Sequence, residues 1–516
     1  MPTAPSSTEV STRARLAELC WAPVVDTAHL LRFRSASVRR PLARRIGWSV
    51  LLLITLGAAT LPALAPSAGG GGRAFDTLLL LPSLMAGFLL LAIVSAVASG
   101  GGRELLAHEH AVAFPVSPTT DHLGALLMAP LNIAWLLQAW FLLGAAAFGQ
   151  GLSGLLGLQV VMVLWLLVAT TAAQAVAWTM EAIRRRRHGV AAFRTISGVV
   201  GAGAVWLQLS GNLGAFLDAV PTLYLLVAAR SGLGVDWAGA VAVELLLTLG
   251  AVVLGAWPAH LAARRLARDE LKAESNVHPA RALPRSAFAM LVRIDRASVW
   301  RAVPMRRGLA VLALGPGLVA VAGAMTWDTV TILPGLVVSG GVLLFGVNAW
   351  SLDGRGGLWR ESLPVDAASV FRARSAVMAE WLLAAALVTV VLASLRAGVP
   401  TASELTALVV TVLVVTVQVV AVAMTWSSRR PFAVNLRSAR ATPAPPIVMV
   451  GYSARLATST TLTAMVFSTL SQAAPWWVVA AVAVPFLSWS TVRWCRASRV
   501  WQDPAARAVV VTTVAA

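Results

Sequence analysis

Residues 402–426 read "ASELTALVVTVLVVTVQVVAVAMTW" and carry a single charged side chain, that of Glu404. A helix needs roughly 20 predominantly apolar residues to cross a bilayer, and an isolated strand cannot satisfy its backbone in lipid. Comparable runs recur along the 516-residue chain, which is 58% hydrophobic and only 12% charged. Soluble domains carry about twice that charged fraction. The composition therefore predicts an all-α polytopic membrane protein.

We predict about twelve transmembrane helices from the apolar runs, in two groups of six. The first group covers 46–65, 75–98, 123–148, 155–181, 191–213 and 236–262, and the second covers 307–327, 329–350, 375–397, 402–426, 447–471 and 475–495. This division predicts a basic N-terminal segment with an amphipathic helix at 1–45, transmembrane halves at 46–262 and 306–495, a linker at 263–305 and a tail at 496–516.

The net charge of +19 would suggest nucleic acid as a partner of a soluble protein. Here the arginines lie in the connections between apolar runs, so membrane topology explains them and we predict no nucleic-acid partner. One set of connections holds most of them, including Arg184–Arg187, Arg429 and Arg493, whereas the opposite set holds few. The positive-inside rule then places both termini in the cytosol of a cell-membrane protein. Residues 1–45 lack the apolar core of a cleaved signal peptide.

Three short matches indicate that the second half repeats the first. "RRPLARRIG" at 39–47 corresponds to "RAVPMRRGL" at 301–309, and "FPVS" at 114–117 corresponds to "LPVD" at 363–366. "FRTIS" at 193–197 corresponds to "ARLATS" at 454–459, which makes Arg194 and Arg455 equivalent. Six spans per repeat is an even number, so the order of these matches predicts parallel six-helix repeats about an axis along the membrane normal.

The connection between spans two and three, "GGGRELLAHEHAVAFPVSPTTDHLG" at 100–124, allows four interpretations. Gly100–Gly102 precede Arg103 rather than Lys and Ser or Thr, which disfavours a phosphate-binding loop. His108, His110 and His122 could ligate a metal, yet the equivalent stretch 353–371 has no histidine, so we predict no metal site. The remaining interpretations are solvated polar side chains or a contact surface. We favour the contact surface, because Ser117, Thr119 and Asp121 can cap a short helix after Pro118, and Asp366 can cap one in the second half.

The chain resembles the type-2 permease subunits of ATP-binding cassette (ABC) transporters, with two six-span halves fused. The basic approach to span one around Leu30–Arg45 resembles the connecting helix of that family, and "GRELLAHEHAVAFPVSP" at 102–118 resembles its coupling loop. "GNLGAFLDAVPTLYLLVAARSG" at 211–232 resembles its re-entrant segment between spans five and six. The second half has only Gln472–Ala474 at that point, so the re-entrant element is expected in the first half alone.

This resemblance implies a permease subunit of an ATP-dependent exporter, driven by a separate ABC-type ATPase. The chain has no nucleotide-binding motif and no catalytic constellation, so we predict no enzyme and no bound cofactor, with ATP held by the partner. The residues expected to couple to the ATPase are Arg103, Glu104, His108, Glu109, Pro115, Arg355, Trp359, Arg360, Glu361 and Pro364. The substrate would be a small molecule or lipid of unknown identity.

Ionisable and amide side chains within spans are functional candidates, because placing them in lipid is costly. Glu244, Glu380, Asn132 and Asn348 are therefore assigned to a substrate or proton pathway, although such residues more often serve to pair neighbouring helices. Twelve spans in two parallel sixes also describe the major facilitator superfamily. A proton-coupled secondary transporter is the alternative function, and a membrane scaffold without a transport cycle is a third.

Overall fold

The computed structural model describes residues 12–36, 41–65, 72–98, 116–131, 133–265, 282–433 and 446–515. Within these ranges every regular element is helical and no strand occurs. The chain divides into two compact units, Met1–Ala267 and Arg268–Ala516, and the boundary falls inside the predicted linker 263–305.

The first unit contains ten α-helices in its described residues. They are α1 (Thr12–Ala36), α2 (Pro41–Thr60), α3 (Arg73–Ala98), α4 (Pro118–Met128), α5 (Ile133–Gln150), α6 (Leu155–Arg184), α7 (Gly189–Leu209), α8 (Leu213–Asp218), α9 (Thr222–Arg230) and α10 (Val235–Ala263).

The second unit also contains ten α-helices in its described residues. They are α11 (Ala287–Arg301), α12 (Val303–Ala322), α13 (Trp327–Val330), α14 (Leu333–Phe345), α15 (Gly356–Glu361), α16 (Ala367–Ser394), α17 (Ala402–Arg429), α18 (Pro446–Ala473), α19 (Trp476–Gln502) and α20 (Pro504–Ala515). Part of the predicted linker thus folds as α11, which packs against α16.

Seven of the described segments are long and apolar enough to cross a membrane: α3, α6, α10, the α13–α14 segment Trp327–Leu344, α16, α17 and α19. An eighth is added if α11 and α12, which are bent by 81° at their junction, form one broken span. The protein is therefore helical, with the several apolar helices of a multi-pass membrane protein. The other predicted spans lie on α2, α5, α7 and α18. The full arrangement of twelve spans in two repeats stays a prediction.

The long helix α6 lies at the centre of the first unit and packs against α3, α5 and α10. Trp165 is buried on α6 and donates its indole N–H to the Met85 carbonyl of α3 at 2.9 Å. Trp237 of α10 donates to the Gly157 carbonyl at 3.0 Å, and further along the helices Gly255 approaches Ala175. These two contacts show that α6 and α10 run parallel, which brings their C-terminal ends together.

In the second unit α17 takes the central position and packs against α18, α19 and α16. Its apolar face contacts Phe467 of α18 and Val479 and Ala483 of α19. Thr463 of α18 donates to the Gln418 amide oxygen at 3.2 Å, so a polar contact also links α17 and α18 within the apolar bundle. Since α18 runs back between them, α17 and α19 are parallel and end on the same side of the unit.

The predicted re-entrant segment 211–232 folds as the two short helices α8 and α9, which meet at Ala219–Pro221. One face of α9, including Leu225 and Ala229, is buried against the first unit's core. In the second unit α18 ends at Ala473 and α19 begins at Trp476, so no element is inserted at the corresponding point. Whether α8 and α9 enter the membrane remains a prediction.

Candidate functional site

The second of the two predicted coupling stretches, 353–371, lies entirely within the described residues. The structure does not describe the first one: Arg103, Glu104, His108, Glu109 and Pro115 lie outside the described residues, as does Asn132. The described portion nearest to it begins at Val116, and there the Ser117 side chain accepts a hydrogen bond from the Thr120 backbone N–H at 3.0 Å. Ser117, one of the three candidate cap residues, therefore caps α4.

Local backbone chemistry forms a small helical projection between α14 and α16. Gly354 adopts a positive φ of 47°, which allows the chain to turn before the six-residue helix α15. Pro364 cannot continue that helix, since it lacks a backbone N–H. Asp366 then caps α16 by accepting hydrogen bonds from the backbone N–H groups of Ala368 and Ser369, at 3.3 and 2.9 Å, which confirms the predicted cap.

The Ser369 hydroxyl also donates to Asp366 at 3.0 Å. This bond and the backbone N–H groups of Ser369 and Ala368 hold the pKa of Asp366 below its ordinary value of 3.8, because they favour the charged carboxylate. The start of α16 is therefore fixed by a carboxylate that stays ionised over the neutral range.

A buried arginine secures the base of this projection. Arg374 of α16 is 4% exposed and forms a bidentate ion pair with Asp295 of α11, with distances of 3.0 and 2.9 Å. The same guanidinium donates to Asp353 at 2.5 Å and to the Ala349 carbonyl at 2.7 Å. Every nitrogen of the side chain therefore has an acceptor. That is the condition under which a buried charge is tolerated.

Aromatic stacking extends the network toward α19. Arg360 of α15 donates to Asp353 at 2.8 Å, so Asp353 joins two arginines. Both guanidinium groups lie over the ring of Trp350, 5.5 Å from its centroid for Arg360 and 5.3 Å for Arg374. Trp350 also contacts Trp501, whose ring is stacked on it with the centroids 3.7 Å apart and an interplanar angle of 9°. The arginine positions are favourable for cation–π interactions, and the two indole rings lie nearly face to face.

Helix α20 supports α15 from another direction. Arg507 of α20 forms an ion pair with Glu361 at 2.7 Å, and Trp501 donates its indole N–H to the Ala367 carbonyl at 3.1 Å. A cleft of about 290 Å³ lies between α15, the start of α16 and α20, and its lining includes Leu363, Pro364 and Arg507. The C-terminal helices therefore hold α15 and the start of α16 in a single arrangement.

The outer face of α15 is apolar and open. Trp359 is 74% exposed, and Leu358 and Leu363 are about half exposed. Exposed Arg355 lies immediately before α15. Large aromatic side chains with a neighbouring arginine are enriched at the centres of protein interfaces. The arrangement thus combines a rigid base with an unpartnered aromatic surface, and it suits protein contact better than the binding of a small ligand.

The described residues assigned to a substrate or proton pathway have three different environments. Glu380 lies on the exposed face of α16 and pairs with Arg296 of α11 at 2.7 Å. Asn348 is buried and donates to the Phe432 carbonyl at 2.7 Å, which fixes the chain after α17. Glu244 is fully buried in the first unit, and neither carboxyl oxygen has a hydrogen-bond partner among the described residues.

His122, one of the three histidines considered as metal ligands, packs between helices. It is buried on α4, and its Nε2 atom lies 3.1 Å from the Val252 carbonyl of α10. His260 of α10 in turn contacts the Thr119 hydroxyl at 2.9 Å. No group of three or more His, Cys, Asp or Glu side chains able to hold a metal ion occurs in the described part of the chain.

Sequence reasoning selected Arg355, Trp359, Arg360, Glu361 and Pro364 but missed the residues that hold them in place. Those are Asp295, Trp350, Arg374, Trp501 and Arg507. One available signal was Arg374, a charge at the entrance of an apolar run, which requires a partner. Asp295 in the preceding amphipathic stretch was the candidate for that partner.

Comparisons with protein families, curated proteins and solved structures found no match.

Proposed function

We propose that the chain is the membrane-embedded permease subunit of an ATP-dependent exporter, with α15 as a docking point for a separate ABC-type ATPase. One observation carries this proposal: an exposed aromatic helix is fixed to a membrane-capable helix through a buried ion-pair network. The proposal places α15 on the cytosolic side and both termini in the cytosol of the cell membrane. The partner binds ATP, and the substrate is a small molecule or lipid.

The surface chemistry of α15 supports a protein partner. Truncating a central Trp typically weakens an interface by at least about 2 kcal/mol, because the ring fills a desolvated pocket on the partner. Trp359 has the exposure and the central position for that role. Arg355 supplies a fork of donors for a carboxylate on the partner's rim. The matching surface on the ATPase is therefore an apolar pocket bordered by acidic residues.

The buried network supports mechanical coupling. A force applied to α15 reaches α16 through Arg360, Asp353 and Arg374 without passing through a flexible connection. Arg374 also carries it to Asp295 of α11. Packed and hydrogen-bonded elements move as units, so a displacement of α15 is converted into movement of the helices that form the transport path.

The test is affinity purification of the tagged full-length chain from its native membranes in mild detergent, followed by mass spectrometry. We expect a stoichiometric ABC-type ATPase with the wild-type chain and its loss with Trp359→Ala. Trp489→Ala is the matched control, since Trp489 is 72% exposed on α19 and lies outside this surface. Both variants should retain the wild-type Tm, because neither ring is buried.

Absence of any ATPase from the wild-type sample, with full recovery of the chain, would overturn the proposal. A stable partner without ATPase motifs would favour a membrane scaffold. An ATPase retained equally by Trp359→Ala and Trp489→Ala would leave the permease assignment intact but remove α15 as the docking point.

Proton-coupled secondary transport is a second candidate, favoured by Glu244. A carboxyl group buried between helices without a partner is costly and is typical of ion and proton pathways. If this candidate is correct, transport survives ATP depletion, collapses with the proton gradient and is lost in Glu244→Gln. Glu380→Gln is the matched control, because that carboxylate is exposed and already paired with Arg296.

A further inference from the structure

The second unit contains an uncompensated group of arginines where α17, α18 and α19 approach one another. Between Glu404 and Asp503 the sequence has no acidic residue. The same interval contains eight arginines: Arg429, Arg430, Arg437, Arg440, Arg455, Arg493, Arg496 and Arg499. Because the interval has no acidic residue, the negative charges that balance these arginines must come from outside it.

Three of these arginines lie on α17 and on two helices packed against it, α18 and α19. Arg493 of α19 is partly buried and lies within electrostatic range of Arg455 of α18 and Arg429 of α17. None of the three makes an ion pair or hydrogen bond within the described residues. Arg493 is partly buried, whereas Arg429 and Arg455 are exposed. Like charges within electrostatic range repel one another, and an anion bound beside them relieves that repulsion.

Two unused donors lie beside these arginines. Tyr452 of α18 is buried and lies within electrostatic range of Arg493, yet its hydroxyl has no hydrogen-bond partner in the described structure. Trp426 of α17 contacts the Tyr452 ring at 5.2 Å, and its buried indole N–H is also without an acceptor. Buried polar groups are nearly always satisfied, so these two donors are available to an acceptor bound beside them.

We propose that Arg429, Arg455 and Arg493, with the Tyr452 hydroxyl, form a binding site for a phosphate-bearing anion. Phosphate presents several acceptor oxygens, and guanidinium groups bind it with paired, charge-assisted hydrogen bonds. The site lies near the arginine-bearing ends of the membrane-capable helices α17 and α19, at the level where the phosphate of an anionic lipid would lie. A soluble phosphate compound offers the same chemistry. The inference concerns the second unit alone and holds whether or not an ATPase binds α15.

The experiment measures binding to the purified full-length chain. Phosphatidylglycerol and phosphatidylcholine are titrated separately in neutral detergent, and inorganic phosphate is titrated in a third arm, with Tm and native mass spectrometry as readouts. We expect the wild-type chain to bind phosphatidylglycerol at least about tenfold more tightly than phosphatidylcholine. Arg455→Gln and Arg493→Gln should each weaken phosphatidylglycerol binding by about tenfold, since each removes one charged partner of the phosphate.

Two further variants keep the result interpretable. Arg301→Gln removes an exposed arginine from α11, outside this group, and should leave phosphatidylglycerol binding unchanged. Tyr452→Phe removes only a hydroxyl and should cause a smaller loss than either arginine variant. The arginine variants should match or exceed the wild-type Tm in phosphatidylcholine, because each relieves repulsion. An Arg455→Gln/Arg493→Gln double variant that is folded and still prefers phosphatidylglycerol would overturn the proposal.

The third arm identifies the source of the phosphate. Binding of inorganic phosphate that is lost in Arg455→Gln and Arg493→Gln, without preference between the two lipids, would support the site with a soluble ligand. A wild-type chain that binds neither inorganic phosphate nor phosphatidylglycerol above phosphatidylcholine would show that no such site exists.

Discussion

Each unit brings a pair of parallel helices together at arginine-bearing ends, but the two pairs handle their charge differently. At the ends of α6 and α10, Glu181 pairs with Arg184 at 2.7 Å and with Arg185 at 2.8 Å. Arg185 also donates to the Ala262 carbonyl at 2.7 Å, and Arg265 donates to the Ala182 carbonyl at 2.5 Å. Each helix thus contributes an arginine that donates to a carbonyl near the end of the other helix, and these bonds join the two helix ends.

At the ends of α17 and α19 the arginines remain without an acid. Arg429 occupies the last turn of α17, where a cation interacts favourably with the helix dipole. Yet Arg455 and Arg493 lie nearby, and no carboxylate in the described residues reaches them. We call the α6–α10 pair closed, because Glu181, one turn before the end of α6, neutralises its arginines. We call the α17–α19 pair open, because its arginines have no such acid and can accept an external anion.

The largest effect is expected at Arg374, the most completely neutralised arginine of the second unit. Arg374→Gln leaves Asp295 buried without its cation and leaves Asp353 paired with Arg360 alone. Breaking a buried ion pair by removing one partner typically costs about 3–5 kcal/mol. We therefore expect a large fall in Tm in neutral detergent. Arg372→Gln is the matched control, because Arg372 lies two residues away on the same helix and is exposed.

An Arg374→Gln variant as stable as Arg372→Gln would contradict the network. It would mean that Trp350 and Trp501 hold the base of α15 by packing alone. Trp350→Leu would then be the destabilising substitution, because it removes the stack with Trp501.

A smaller loss is expected when the closed pair of the first unit is opened. Glu181→Gln removes the negative charge that faces Arg184 and Arg185 while keeping the side-chain length. Losing a charge-assisted hydrogen-bonded pair costs about 1–3 kcal/mol. The Tm should fall less than for Arg374→Gln, because Arg185 and Arg265 keep their backbone acceptors. Amide exchange at the C-terminal ends of α6 and α10 should rise, with no change at α17.

The sequence was informative about the helical class and about local caps, for a physical reason. Apolar runs and cap residues act through their immediate neighbours in the chain, so Asp366 was assigned correctly and the cap of α4 was narrowed to three residues that include Ser117. Arg374 and Asp295 are 79 residues apart, and no local pattern relates them. The same holds for Trp350 and Trp501, whose stacking depends on how α19 packs against the turn before α15.

The intramembrane candidates illustrate the same limit. Glu244 and Glu380 look alike in sequence, since each interrupts an apolar run. In the structure Glu244 is buried without a partner, whereas Glu380 is exposed and paired. Their difference comes from α11, which supplies Arg296 to Glu380 and was predicted only as linker. The identity of the packing helix, rather than the residue type, decides which acid is a functional candidate.

A third prediction converts the open pair into a closed one. Thr425 lies four residues before Arg429 on α17, the same spacing that separates Glu181 from Arg185 on α6. Thr425→Glu places a carboxylate on that face, and an i,i+4 pair of this polarity stabilises a helix by about 0.2–0.5 kcal/mol. We expect a slight rise in Tm in phosphatidylcholine and a clear loss of phosphatidylglycerol preference. Thr425→Gln, which is uncharged, should retain the preference; equal behaviour of the two variants would contradict the charge argument.

The smallest effect concerns the two helix caps, where the carboxylate belongs to the second unit and not to the first. Ser117 caps α4 with a neutral hydroxyl, whereas Asp366 caps α16 with a carboxylate whose pKa is lowered below 3.8 by its hydrogen bonds. A group with a lowered pKa in the folded state contributes stability above its ordinary pKa and loses it as the pH falls through the folded value. Stability at α16 should therefore decline slightly below about pH 4, and the cap at α4 should not respond. Asp366→Asn keeps a capping oxygen but removes the titration, so the wild-type and Asp366→Asn curves of Tm against pH should converge in acid and separate slightly at neutral pH. Parallel curves over the whole range would show that Asp366 is no better bound to its donors in the folded protein than in the unfolded chain.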